Sequence, residues 1–254
     1  MCRHLGYLGP PVPVSEPITC GAHSLYVQSW APREMRGGGT INADGFGVAW
    51  WPGERTADGS AVSRYRNPIP IWTDPAVGEV LGQITAPAVL ASVRSATPGM
   101  PVDRASCAPF VHGQWAFSHN GVVPEWRETL AAIADEVLVQ NLYEIEALTD
   151  SAALWLVLRT LLELHKPEIA LANLMARVLD WQPAARLNLL LGDGETLWAT
   201  TCYHSLSVLA TEDSVTVSSE PYDDDPGWTP VPDLHIVTAR PGGVRIEPFA
   251  KQEI

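Results

Sequence analysis

Cys2 directly follows Met1, in the opening Met1-Cys2-Arg3-His4-Leu5-Gly6-Tyr7-Leu8-Gly9. Removal of Met1 would put a thiol and a free α-amine on one residue. Their ordinary pKa values lie close together, about 8.5 and about 8. At neutral pH the amine can therefore take the thiol's proton, directly or through a water. A nucleophile with its own base attached is a recognised catalytic arrangement. Position alone also fits a plainer role, in which Cys2 is a small apolar residue entering a strand.

Three further loci stand at the ends of expected strands or at the start of an expected helix: Arg94, Asn120-Gly121 and Asp150. Each has a structural alternative. Arg94 could form a surface salt bridge, Asn120-Gly121 a hairpin turn, and Asp150 or Thr149 a helix N-cap. His119 reads as a structural hydrogen-bonding group and His4 as a neighbour of the nucleophile. Asn42 and Asp44 read as turn formers.

Composition narrows the function classes. The chain has 254 residues and a formal charge of -13, from 16 basic and 29 acidic residues. That sign disfavours nucleic-acid backbones and anionic membranes, and no basic stripe offsets it. No apolar run reaches the length of a membrane span. The N-terminal stretch lacks an apolar signal-peptide core, since Gly6, Gly9, Pro10, Pro11, Pro13 and Glu16 interrupt it. Cys2, Cys20, Cys107 and Cys202 form no CxxC pair, and the histidines form no HExxH spacing. No metal site or cofactor is therefore expected, and a reducing, cytoplasmic setting is. Cys20, Cys107 and Cys202 read as small packed groups.

The elements that must position these residues follow from periodicity and turn chemistry. A strand is expected over 3–9, stopping at Gly9-Pro10-Pro11. A short helix or strand follows at 23–30, then a loop over 33–40 containing Gly37-Gly38-Gly39. The run Asn42-Ala43-Asp44-Gly45-Phe46-Gly47-Val48-Ala49-Trp50-Trp51 reads as a turn feeding a strand. A turn at 55–60 precedes a strand at 61–66. A helix over 74–83 has Asp74 as N-cap and Pro75 at its first position. Strands are expected at 88–94 and 114–118, the second ending at His119-Asn120-Gly121. Helices follow at 124–134, through 164 after Thr149-Asp150-Ser151, and at 167–179. After Pro183 the period becomes strand-like. Segments 186–191, 196–202, 206–210 and 214–219 read as a meander, and 235–239 pairs with 244–248 across Pro241-Gly242-Gly243. Strands, a central helical block and more strands suggest two sheets between helical layers.

Several motifs together carry a family resemblance. They are the opening Cys2-Arg3-His4-Leu5, the segment 42–50, Val93-Arg94-Ser95-Ala96-Thr97-Pro98-Gly99, Ser118-His119-Asn120-Gly121 and Thr149-Asp150-Ser151. In this order they resemble the N-terminal-nucleophile (Ntn) hydrolases of the class II glutamine amidotransferase type. Within that family the likeness is greatest to the branch serving ergothioneine biosynthesis, which cleaves a γ-glutamyl amide of hercynylcysteine S-oxide. Met1 to Pro11, Ala91 to Gly99 and Ser219-Glu220-Pro221 carry it.

The resemblance implies an α+β fold, a four-layer αββα sandwich forming one domain over residues 1–254. It implies that Cys2 attacks a γ-glutamyl carbonyl with its α-amine as base. Asn120 and Gly121 would form the oxyanion hole. Arg94 would bind the substrate's α-carboxylate and Asp150 its α-ammonium. A cationic leaving group would suit aromatic faces and carboxylates, for which Trp30, Tyr222 and Trp228, with Asp223 or Asp224, are the candidates. The implied partner is a small-molecule γ-glutamyl substrate. A glutaminase subunit, a γ-glutamyl peptidase and a non-catalytic γ-glutamyl-binding module are the alternatives.

Overall fold

The computed structural model describes residues 2–36, 41–52 and 61–249; the Gly37-Gly38-Gly39 run and the turn expected at 55–60 lie outside them. In chain order, β1 (Arg3–Pro13) leads to two short helices, α1 (Glu16–Thr19) and α2 (Leu25–Gln28), then to β2 (Phe46–Trp51) and β3 (Ser63–Asn67). Next come α3 (Ala76–Glu79), β4 (Thr85–Val93), β5 (Phe110–His112) and β6 (Trp115–Val122). Three longer helices follow, α4 (Trp126–Glu136), α5 (Asp150–Leu164) and α6 (Pro167–Trp181). The remaining strands are β7 (Arg186–Gly192), β8 (Leu197–Thr200), β9 (Ser207–Ala210), β10 (Val215–Ser218), β11 (Thr229–Pro230), β12 (His235–Arg240) and β13 (Gly243–Pro248).

The strands form two sheets. The first has the order β11-β9-β10-β1-β4-β2-β3, with β1 at its centre. The second runs β13-β12-β8-β7-β6-β5. The pairings among described residues are antiparallel.

The central strands of both sheets are buried on both faces, and the two-residue period of a strand divides their side chains between three apolar layers. Leu8, Ala49, Leu90, Ala116, Leu190 and Ala199 fill the space between the sheets. Leu5, Val48, Val89 and Ala91 point the other way, onto Ile18 of α1, Leu25 of α2 and Val77 of α3. Phe117, Leu187, Leu189 and Leu191 point outward from the second sheet onto α4, α5 and α6. Helix, sheet, sheet and helix are thus stacked in the αββα order.

Local chemistry accounts for the helix starts. Thr149 caps α5 by accepting the Ala152 N–H at 3.2 Å, Ser24 caps α2 through the Val27 N–H, and Pro167 opens α6. Asp74 accepts the Ala76 N–H at 2.9 Å. The helix expected over 74–83 nevertheless breaks into α3 and a 3₁₀ turn at Leu81–Gln83; Gly78 and Gly82 weaken a continuous helix there.

Two other expectations are corrected. The first strand does not stop at Gly9. It continues to Pro13, with a register shift between Leu8 and Val12 that absorbs the prolines, which have no N–H to give the ladder. Segments 186–219 are not one meander. β7 and β8 pair in the second sheet, whereas β9 and β10 pair in the first. Alternation marks a strand but does not name its partner, and the chain changes sheets at the turn over 201–206.

Leu190 is fully buried between the sheets, whereas Leu164 at the end of α5 is 67% exposed. Leu190→Ala should lower the free energy of urea unfolding by about 2–5 kcal/mol, and Leu164→Ala by less than about 0.5 kcal/mol.

Candidate active site

The apolar layer between the sheets turns polar at one end. On β1, the inward positions Leu8 and Gly6 are followed by His4 and then Cys2. On β4, Ala88 and Leu90 are followed by Ser92 and Arg94. On β6, Ala116 is followed by Ser118 and Asn120, and on β7 Leu190 is followed, toward the strand start, by Asn188 and Arg186. The same two-residue step that builds the core therefore carries Cys2, Arg94, Asn120 and Arg186 to one mouth. β1 packs over β6 and β7, and β4 over β6. His4 Nδ1 lies 3.3 Å from Ser118 Oγ and links the two sheets just below the mouth.

The Cys2 thiol is half-buried, with Sγ 3.7 Å from the Ser95 carbonyl oxygen. Arg94 is held through its backbone. Its N–H donates to Gly45 O at 2.8 Å, and its carbonyl accepts the Asp44 N–H at 3.0 Å. Asp44 Oδ2 takes the Ala96 N–H at 2.8 Å, so Asp44 shapes this strand end. The Arg94 side chain is buried, with Nη1 unpartnered among the described residues. It is not a surface salt bridge.

Asn120-Gly121 is not a hairpin turn, and it does not lie beyond its strand. Both residues are inside β6, opposite Asn188 and Leu187 of β7. A side chain at Gly121 would come within 1.8 Å of the Arg186 carbonyl oxygen and 2.5 Å of His119 Nε2. The glycine thus permits a close backbone approach rather than a tight turn. Asn120 is fully buried, and both its amide nitrogen and its amide oxygen lack partners among the described residues. An unpaired buried amide costs about 1–3 kcal/mol, a price that a protein carries where the group serves a ligand.

Asp150 is the first residue of α5, with Thr149 as the cap. Its Oδ2 accepts the Val123 N–H at 3.0 Å and its Oδ1 the Ser151 N–H at 2.7 Å. The buried carboxylate joins the end of β6 to the positive end of the helix. His119 faces the helical layer, as its parity with Phe117 requires. The Arg186 carbonyl, 2.8 Å from Nε2, can only accept, so Nε2 holds the proton and Nδ1 accepts from Ser151 Oγ at 3.0 Å. His119 is a structural group, as expected. His4 is fully buried. Burial, followed by the neighbouring His119 and His204 rings and the Arg3 guanidinium, pushes its pKa down to about 3 and keeps it neutral.

Tyr222 and Trp228 are not brought beside Cys2. Their rings pack edge to face, 5.1 Å apart, and Trp228 Nε1 donates to Asp223 Oδ1 at 2.7 Å. The Tyr222 hydroxyl bonds the side chain of Thr216, which lies opposite Tyr7. Tyr7 is five residues along β1 from Cys2, or about 17 Å at about 3.4 Å per residue. Trp30 packs edge to face on Tyr26 and Trp72. Asp224 pairs with Arg33 at 3.3 Å.

Sequence reasoning missed three features of this end. Glu220 is buried and accepts the Arg33 and Glu34 N–H groups at 3.0 and 2.6 Å. The Arg3 guanidinium, on the outward face next to Cys2, reaches the Glu34 carbonyl and Met35 Sδ. Together they staple residues 33–36 to the nucleophile's strand. Tyr203 has φ 88°, a strained backbone for an aromatic residue. Asp233 Oδ1 takes its N–H at 2.7 Å, Arg36 Nη1 donates to its carbonyl at 2.8 Å, and the Arg186 guanidinium stacks 4.3 Å from its ring centroid. Asn188 braces the same turn, accepting the Cys202 and His204 N–H groups at 3.0 and 3.1 Å and donating to His204 O at 2.9 Å. Ser219-Glu220-Pro221 carried part of the family likeness, but no local pattern gave Glu220, Arg186 or Tyr203 a role at this end, because each acts on residues far off in sequence.

Known proteins share this arrangement of elements. The model of class-II glutamine amidotransferases matches residues 19–225. A protein named gamma-glutamyl-hercynylcysteine sulfoxide hydrolase from Mycobacterium tuberculosis H37Rv is 39% identical over 246 residues, 97% of this chain and 96% of that protein. One of the same name from Mycolicibacterium smegmatis is 38% identical over 249 residues, covering 98% and 100%. Among solved structures, a glutamine aminotransferase class-II domain protein from Silicibacter pomeroyi aligns with a TM-score of 0.65 at 25% identity, over 98% of this chain and 99% of that one.

His4 supplies a pH signature. Its pKa in the fold is about 3, against an ordinary 6.5. A depressed histidine pKa means that the unfolded chain binds the extra proton between those values. The stabilisation from a neutral His4 is complete above about pH 6.5 and is lost as the pH falls toward 3. Unfolding free energy should therefore fall from pH 6.5 to 4.5 more steeply in the wild type than in His4→Gln, by up to about 1.4 kcal/mol per pH unit. Urea titrations at several pH values read the two slopes, and equal slopes would mean that His4 is not held neutral.

Proposed function

The chain belongs to the class-II glutamine amidotransferases, and we propose that it hydrolyses the γ-glutamyl amide of hercynylcysteine S-oxide through a thioester on Cys2. The observation that carries the reading is a half-buried Cys2 thiol and a buried Asn120 amide without partners among the described residues, both at inward-facing positions at the polar end of the two sheets. The two mycobacterial relatives named for this reaction, aligned over nearly the whole chain, support the choice of substrate.

The chemistry follows from the groups present. After loss of Met1, the Cys2 α-amine takes the thiol proton. The thiolate attacks the γ-carbonyl, and the carbonyl oxygen gains negative charge. Asn120 Nδ2 and the Gly121 N–H donate to that oxyanion, which they stabilise more than the flat carbonyl. The intermediate collapses to a thioester as the leaving amine takes the proton from the Cys2 ammonium. A water, deprotonated by the same amine, attacks the thioester and releases glutamate and the thiol. Arg94 holds the substrate's α-carboxylate, which matches a guanidinium in two-point geometry. Asp150 holds the α-ammonium with the acceptor capacity that its two backbone donors leave open. Residues 1–254 work as one catalytic domain in this reading. A cytoplasmic setting is part of it, supported by the unpaired state of Cys2, Cys20, Cys107 and Cys202.

Intact-mass measurement should show the chain without Met1, and incubation with the γ-glutamyl substrate should release glutamate. Cys2→Ala should abolish that release. Asn120→Ala should lower kcat by about 10²–10³-fold with the thioester route intact, and Arg94→Lys should act chiefly by raising KM. Full glutamate release by folded Cys2→Ala protein would sink the mechanism.

A further inference from the structure

The reading above assigns the two sides of the scissile bond unequally: Arg94 and Asp150 take the glutamyl head, and nothing has yet been given to the amine that leaves. The sheet geometry gives the mouth a direction. Arg94 follows the last residue of β4, a strand that lies on one side of β1 and over β6, whereas β10 lies on the other side of β1 and over β12. β8 is next to β12 in the second sheet, and the turn that follows it carries Tyr203. With the glutamyl head on the Arg94 side, the leaving group extends toward Arg186, Tyr203 and the stapled residues 33–36.

Arg186 is the cation on that side. It occupies the inward face of β7, one inward position beyond Asn188, which lies opposite Asn120. Among the described residues its guanidinium meets the Tyr203 ring and makes no hydrogen bond or ion pair with a side chain or carbonyl. Among the described residues its donors are therefore uncommitted, while the Tyr203 ring orients its plane. The backbone that carries the ring is itself held on both sides of Tyr203, by Asp233 on its N–H and Arg36 on its carbonyl. A strained residue held at that many points gives a rigid support for a planar cation.

We propose that Arg186, braced by Tyr203, is a specificity residue that binds the carboxylate of the leaving amino acid. This inference rests on the proposed γ-glutamyl hydrolysis and extends it. When the acylated amine belongs to an α-amino acid, as in a γ-glutamyl-cysteine derivative, a carboxylate sits on the carbon that bears the scissile nitrogen. The amide of glutamine has no such group. A guanidinium there favours γ-glutamyl peptides with a free carboxylate over simple amides.

The test uses two substrates that differ only at that group: γ-glutamyl-S-methylcysteine with its free carboxylate, and the same compound as the C-terminal carboxamide. Glutamate release gives kcat/KM for each. Wild-type enzyme should prefer the carboxylate by about 10–100-fold, the worth of a hydrogen bond to a charged group. Arg186→Gln should bring the ratio close to one, and Tyr203→Leu should lower it part of the way. Comparable rates on both substrates in the wild type would overturn the inference while leaving γ-glutamyl hydrolysis standing. So would an Arg186→Gln enzyme that is slower on both but keeps the wild-type ratio, the outcome of a merely structural role. Hydrolysis of neither compound nor of the hercynylcysteine S-oxide substrate by the wild type would remove the parent reading and this one with it.

Discussion

A strand shows successive side chains to opposite faces, and here the central strands of both sheets are covered on both faces. Every position is therefore committed to one of two neighbours, and a slip of one residue would invert the whole set. Leu8 and Leu90 cannot lie between the sheets unless Cys2 and Arg94 point the same way. Ala116 and Leu190 impose the same condition on Asn120 and Arg186. The active end is the continuation of the core by two more rungs, with polar side chains in place of Leu and Ala. Its precision comes from the packing beneath it. The inward-facing positions tolerate buried Asn and Arg because the apolar rungs next to them carry the stability.

The charge at this end runs against that of the molecule. The chain as a whole is acidic, at -13, yet Arg3, Arg36, Arg94 and Arg186 gather around the mouth. His4 and His204, buried beside them, are both held neutral with pKa values near 3, His204 by burial and then by the Arg186 charge. Guanidinium groups placed there give a carboxylate-bearing substrate specific partners at this end of an otherwise acidic molecule. The Glu220 carboxylate is directed away from the thiol, where it satisfies the Arg33 and Glu34 N–H groups and balances Arg3.

Much of this was legible in the sequence, and the misses have physical causes. Cys2, the strand running from it, the capped start of α5 and the apolar strand ending at Arg94 were marked by local patterns. Asn120-Gly121 was visible as a pair, but Asn-Gly is ambiguous when read locally. Its role as a mid-strand close approach depends on the Arg186 carbonyl, 65 positions later by numbering. The strands at 186–219 were individually readable, while their division between two sheets depended on which layer each apolar face had to cover. The aromatic residues chosen for the leaving-group side, Tyr222 and Trp228, were chosen by type. The chain turns back after Glu220, and the Tyr222 hydroxyl bonds Thr216, which lies opposite Tyr7, down β1 from Cys2. Tyr203, which does reach the mouth, had nothing in its neighbourhood to distinguish it.

β1 is made first and sits in the middle of its sheet, between β4 and β10. One flank can form once residues 85–93 are synthesised, but the other must wait for residues 215–218. Contacts this distant in sequence slow folding, because a long loop must close before they are rewarded. During synthesis one flank of β1 therefore stays open long before the groups around Cys2 can surround it. The order of the chain separates the making of the nucleophile from the making of its pocket.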